Sequence, residues 1–257
     1  MIQHVKYLLL SFVTVLFLSV PGQAQLLNVE SVRANADTTG WYGQLNFDLS
    51  FSQYNEQVLQ FTNNTNISYF SKKHAYLFLN KLKLVNLDGA SVISSGYSHL
   101  RSTFVRENRF SPELFLQYQY NNNLGLQNRF LAGAGFRYTL FDTDSWVGSF
   151  SSALMAEYEE WQVSGLPSVE NEYLKSSSNL SLRGILNPQT SFLLIGYYQA
   201  RPAAFFEARS ILETQLEVKI NKHISLSVQF AASYDAAPVI AIPNWTYELS
   251  NGLVIKF

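Results

Sequence analysis

The chain has 257 residues, a formal net charge of −1, 47% hydrophobic and 15% aromatic residues, and no cysteine. That balance leaves no electrostatic footprint for a nucleic-acid partner, and it excludes a disulfide scaffold or a thiolate site. After residue 24 no stretch is long and apolar enough for a spanning helix, so the folded part is either water-soluble or crosses a membrane as strands.

At the start, Lys6 precedes an apolar run over residues 7–20, and Pro21-Gly22-Gln23-Ala24 follows, with small residues where a signal peptidase reads. The run is short of the roughly 20 residues that a helix needs to cross a bilayer. Residues 1–24 are therefore expected to be a cleaved secretory signal peptide, 25–39 a short periplasmic segment and 40–257 the folded domain.

From residue 40 onward a period of two recurs. Over 41–51, Leu45, Phe47, Leu49 and Phe51 oppose Gln44, Asn46, Asp48 and Ser50. Residues 57–70 and 75–85 repeat the pattern, while 92–105 is its poorest copy. Over 113–120, Leu114, Leu116, Tyr118 and Tyr120 oppose Gln117 and Gln119. Residues 126–141 place Phe130, Ala132, Ala134 and Phe136 against Arg129, Gly133, Gly135 and Arg137, and 146–159 follows suit. The serine-rich stretch 174–183 and the two-sided apolar stretch 190–199 do not fix a register. The pattern returns over 212–220 and 224–234, and closes the chain over 245–257.

Twelve alternating segments predict an all-β fold: a closed antiparallel up-and-down transmembrane β-barrel of about 12 strands, ten being the other count the pattern allows. A soluble sandwich also alternates, so the links between segments carry weight. The long ones, 160–173, 200–208 and 235–244, all join an odd segment to an even one, and tight turns join even to odd. Long loops then gather on one rim and short turns on the other, as in outer-membrane barrels. Trp41, Trp146, Trp161 and Trp245 stand at segment ends, where indole rings would meet lipid headgroups.

The face opposite the apolar residues collects the charges. It holds Lys81, Lys83, Arg101, Arg129, Arg137, Lys175, Arg183, Lys219 and Lys256, with Asp48, Glu113, Glu157, Glu159, Glu213, Glu217 and Glu248. A basic group at the lipid midplane costs about 2–4 kcal/mol, which is reason enough for that segregation. Near balance of sign predicts a salt-bridged, largely filled lumen, with Arg129, Arg137, Glu157, Glu217, Lys219 and Glu248 as members of its network.

Catalytic chemistry finds little support. Ser98 and Ser102 flank His99 at odd spacings, so on a strand they point away from it and cannot be activated by it. His74 and His223 have no metal-ligand spacing to other residues, and no cofactor is expected. Gly133-Ala134-Gly135 lies within a strand pattern, where small residues relieve crowding. The carboxylates Glu160, Glu170 and Glu172 gather near the longest link, as a solvated loop or a cation or ligand site.

The ending W-T-Y-E-L-S-N-G-L-V-I-K-F, with Tyr247, Leu253, Ile255 and Phe257 on its apolar face, resembles the assembly signal of bacterial outer-membrane barrels. Gly40-Trp41-Tyr42-Gly43, F-S-P-E-L-F-L-Q-Y-Q-Y-N from Phe110, and N-R-F-L-A-G-A-G-F-R-Y around Arg129, Gly133 and Gly135 resemble the YdiY-like, salt-induced outer-membrane protein family. That resemblance, strongest over residues 40–160, implies a Gram-negative outer-membrane barrel without established enzymatic activity or known ligand. Its expected role is non-catalytic, structural or related to permeability or stress; the alternatives are a lipid hydrolase or a narrow pore. Expected partners are outer-membrane lipids and, during biogenesis, the barrel assembly machinery and periplasmic chaperones.

Overall fold

A computed structural model describes residues 39–53, 57–162, 165, 167–221, 224–239 and 243–255. The expected signal peptide and Phe257 lie outside the described residues. Among the described residues twelve strands follow in order: β1 Gly40–Gln53, β2 Gln57–Phe70, β3 His74–Leu87, β4 Ala90–Phe104, β5 Phe110–Asn121, β6 Leu126–Asp142, β7 Trp146–Trp161, β8 Val169–Asn187, β9 Thr190–Arg201, β10 Ala204–Lys219, β11 Ile224–Asp235 and β12 Trp245–Ile255. Each pairs antiparallel with its neighbours in sequence, giving one sheet in the order β1 to β12.

Local chemistry sets the turns. Between β3 and β4, Asp88 and Gly89 both take positive φ, 49° and 82°, as a two-residue hairpin turn with right-handed strand twist requires. Between β5 and β6, a short 3-10 turn over Asn122–Leu124 is capped by the Asn121 side chain and ended by left-handed Gly125.

Alternation sets the faces, and their polarity is reversed from that of a soluble sheet. Along β5, Ser111, Glu113, Gln117 and Gln119 are buried while Leu114 and Leu116 are exposed; along β7, Ser151, Glu157 and Glu159 are buried and Leu154 is exposed. The covered face is the inside of a curl. Neighbouring strands lie about 4.8 Å apart, so a flat sheet would hold β7 and β10 roughly 14 Å apart. Arg209 Nη1 of β10 nevertheless reaches Glu157 Oε1 of β7 at 3.9 Å. Further round, Tyr97 of β4 lies within electrostatic reach of Glu213 of β10. Among the described ladders none joins β1 to β12.

The inside is not polar throughout. Phe70, Ala75, Leu77 and Leu79 form a buried apolar cluster, with Tyr42 and Tyr97 packed against it. Charge dominates instead on β5–β10.

Three expectations need correction. The link expected over 200–208 is a two-residue turn at 202–203, because β9 and β10 stay paired out to Arg201 and Ala204 across an irregularity between Ala204 and Arg209. The link expected over 160–173 shrinks to 162–168, because β8 starts at Val169, opposite Trp161. The longest link, 236–244, does join an odd strand to an even one. Of the four tryptophans, Trp41 and Trp245 are exposed on the apolar face, but Trp161 is 3% exposed and points inward, its odd position sharing the face of Glu157 and Glu159.

Candidate functional site

The most concentrated chemistry lies inside the curl, near the rim where odd strands pass to even ones. Glu157 is its hub. Arg129 of β6 meets it through Nη2 at 2.8 Å, and Lys175 of β8 through Nζ at 2.9 Å. Lys175 also reaches Glu159 at 3.4 Å, and Glu159 accepts a hydrogen bond from the Trp161 indole. Arg209 faces both glutamates at 3.9 and 4.0 Å and donates from Nε to Asp235 of β11 at 2.9 Å. Three cations, Arg129, Lys175 and Arg209, balance three carboxylates, Glu157, Glu159 and Asp235. Arg129, Glu157 and Glu159 are 1%, 3% and 0% exposed, so their desolvation is offset by ion pairs and hydrogen bonds rather than by water.

The network continues towards β4. Arg129 Nη1 donates to Gln119 Oε1 at 3.4 Å, and Gln117 Nε2 donates to the same oxygen at 3.3 Å. Gln117 Oε1 stands 3.0 Å from His99 Nδ1, and Arg101 Nε donates to His99 Nε2 at 3.4 Å. That acceptor role puts the proton of a neutral His99 on Nδ1, from which it bonds Gln117. Arg101 pairs with Glu113 at 3.0 Å, and Thr103 Oγ1 donates to Glu113 Oε1 at 2.8 Å. A belt of polar side chains thus runs from β4 to β11. The imidazole of His99 is held on both nitrogens and stacked on Phe115, while Ser98 lies on the other face and accepts from Asn80.

Of the expected network, Arg129 and Glu157 come together. Arg137 lies eight residues further along β6, roughly 27 Å away along the strand, and Glu217 and Lys219 sit at the far end of β10. The backbone of Glu248 pairs with Ala231 in β12. In the terminal segment, Tyr247 is exposed and pairs with Ala232, while Leu253 and Ile255 pair by backbone with Leu226 and Ile224. Asp235 was missed because 235–244 read as a loop, and Arg209 because it stands between the 200–208 loop reading and the first clear alternation at Leu212. The signal was present: stepping back by twos from Glu213 passes Ile211 and lands on Arg209.

The structure "NanC porin structure in rhombohedral crystal form" matches with a TM-score of 0.50 at 7% identity, over 82% of this chain and all of that one. "KdgM porin in complex with disordered oligogalacturonate" matches with a TM-score of 0.42 at 12% identity, over 81% of this chain and 98% of that one. The NanC likeness is one of fold, and no curated protein matches the chain. A family model covers residues 31–257, and the chain belongs to that family, "Protein of unknown function, DUF481".

Proposed function

We propose that the chain is an integral outer-membrane β-barrel, closed by pairing of β1 with β12, with a non-catalytic structural or permeability role. The observation that carries this reading is the inverted burial. Arg129, Glu157 and Glu159 are enclosed while Leu45, Leu49, Leu100, Leu116, Phe130 and Leu154 are exposed, an arrangement that costs free energy in water and is favoured in lipid. Aromatic side chains on the outer face at both rims support it: Trp41, Tyr69 and Tyr76 at one, Tyr234 and Trp245 at the other. Strands of 11 to 19 residues meet or exceed the 9–11 that a tilted strand needs to span a bilayer.

The belt of side chains blocks the interior, so the barrel conducts poorly as folded. The YdiY-like, salt-induced outer-membrane proteins are the relatives this reading favours, with membrane lipids and the assembly machinery as partners. Membrane fractionation with heat-shift electrophoresis tests it: the protein is expected in the outer membrane with a mobility that changes on boiling. A soluble species with unchanged mobility would overturn the barrel. In planar bilayers the wild type is expected to show little current, and a large steady conductance would overturn the blocked interior. His99 acts as a structural member of the belt, so acyl release from phospholipid is expected at background in the wild type and unchanged in His99→Ala; release above background by the wild type that is lost in His99→Ala would overturn the non-catalytic reading.

A further inference from the structure

The outer face of β3–β8 contains a hollow. Ala132 of β6 and Ala156 of β7 are paired, in a row that runs from Leu116 through both alanines to Leu174. Two methyl groups among leucines and aromatics leave a depression of about 740 Å³. That lies within the range of small-molecule sites, about 300–1,000 Å³. One row nearer the 162–168 link, Tyr118, Phe130 and Tyr158 form a wall, their centroids 4.9 and 6.4 Å apart.

At this wall the face turns from apolar to acidic. Glu172 lines the hollow itself, and Glu160, Glu170 and Glu172 all lie within electrostatic reach of Tyr158. Asn128 Nδ2 donates to Glu160 at 2.7 Å, and Asn128 Oδ1 accepts from the Tyr118 hydroxyl at 3.1 Å. No lysine or arginine falls on the outer parity of β5–β8 among the described residues, so this acidic patch has no cation of its own beside it.

We propose that the hollow binds a lipid whose headgroup carries a primary ammonium, its acyl chain over Ala132 and Ala156 and its ammonium among Glu160, Glu170 and Glu172. Hydrocarbon fills the apolar floor without an unpaired polar group. The ammonium brings three donors to carboxylates that accept. A metal ion fits less well, since no group of histidine and acidic side chains among the described residues is arranged to hold one. The site rests on the reading of this face as lipid-facing.

Native mass spectrometry of the full chain, released from detergent after incubation with equal amounts of phosphatidylethanolamine and phosphatidylglycerol, tests it. The wild type is expected to retain phosphatidylethanolamine several-fold better. Glu170→Gln with Glu172→Gln, both at exposed positions, should abolish the preference, and Ala132→Phe with Ala156→Phe should remove bound lipid of either kind. Equal retention of the two lipids by the wild type would overturn the proposal. So would phosphatidylglycerol retained only with added magnesium, a second copy of the chain in place of lipid, or a preference untouched by the glutamine variant. Heat-shift electrophoresis of the same sample separates the failures: a shifted band without lipid preference defeats the site alone, and an unshifted band defeats the lipid-facing reading with it.

Discussion

Glu157 holds cations from three strands, and its removal would leave Arg129, Lys175 and Arg209 with Glu159 and Asp235 as the nearest carboxylates. Losing one member of a buried pair costs about 3–5 kcal/mol, because the partner stays desolvated. Glu157→Gln is therefore expected to lower the unfolding free energy in detergent by about that much, measured by denaturant titration of tryptophan fluorescence. The same variant is expected to raise the planar-bilayer current above the wild type, since it loosens the belt at its hub. The inward parity of Glu157 and Glu159 was legible in the alternation. Their choice of partners was not, because Arg209, itself held by Asp235, reaches them across the interior, and no local spacing encodes that distance.

At the scale of the strand, β6 shows why small residues sit in an alternating run. A Cβ on Gly133 would meet the Phe115 ring at 2.2 Å, and one on Gly135 would meet the Ser152 carbonyl oxygen at 2.2 Å. Both positions exist to admit a neighbour. The Phe115 ring has His99 stacked beside it and Arg101 over its face at 5.1 Å, so it has little room to retreat. Overpacking of this kind costs about 1–3 kcal/mol. Gly135→Ala is expected to lower the heat-shift midpoint more than Gly133→Ala, since the Ser152 carbonyl belongs to a paired backbone, which yields less than even a confined ring. The crowding was legible from small residues alternating with aromatics, but the identity of the crowding atoms needed the register. The shortened 202–203 turn has a related cause: Pro202 and the residues up to Ala208 break the apolar pattern, while pairing of Arg201 with Ala204 persists.

At the scale of the molecule, the order of strands and the division into two faces were legible because one period repeats from residue 41 to the end. The two-sided interior was not. Leu77 and Leu79 share the inner face with Lys81 and Lys83, and neither hydropathy nor charge alone announces a buried apolar cluster beside a polar belt. For the whole chain, deletion of Phe257 is expected to reduce the heat-shifted form in membranes while leaving signal removal intact; unchanged membrane levels would count against an assembly role. The belt also bears on how the wall finds its alignment. Serine-rich β8 and doubly apolar β9 gain little from one pairing over its neighbour, because sliding exchanges like for like. Lys175 in β8 and Arg209 in β10 do not slide freely: a two-residue slip carries either about 7 Å from Glu157. The charges of the belt therefore also act as a key, accepting the strands in one alignment and refusing the rest.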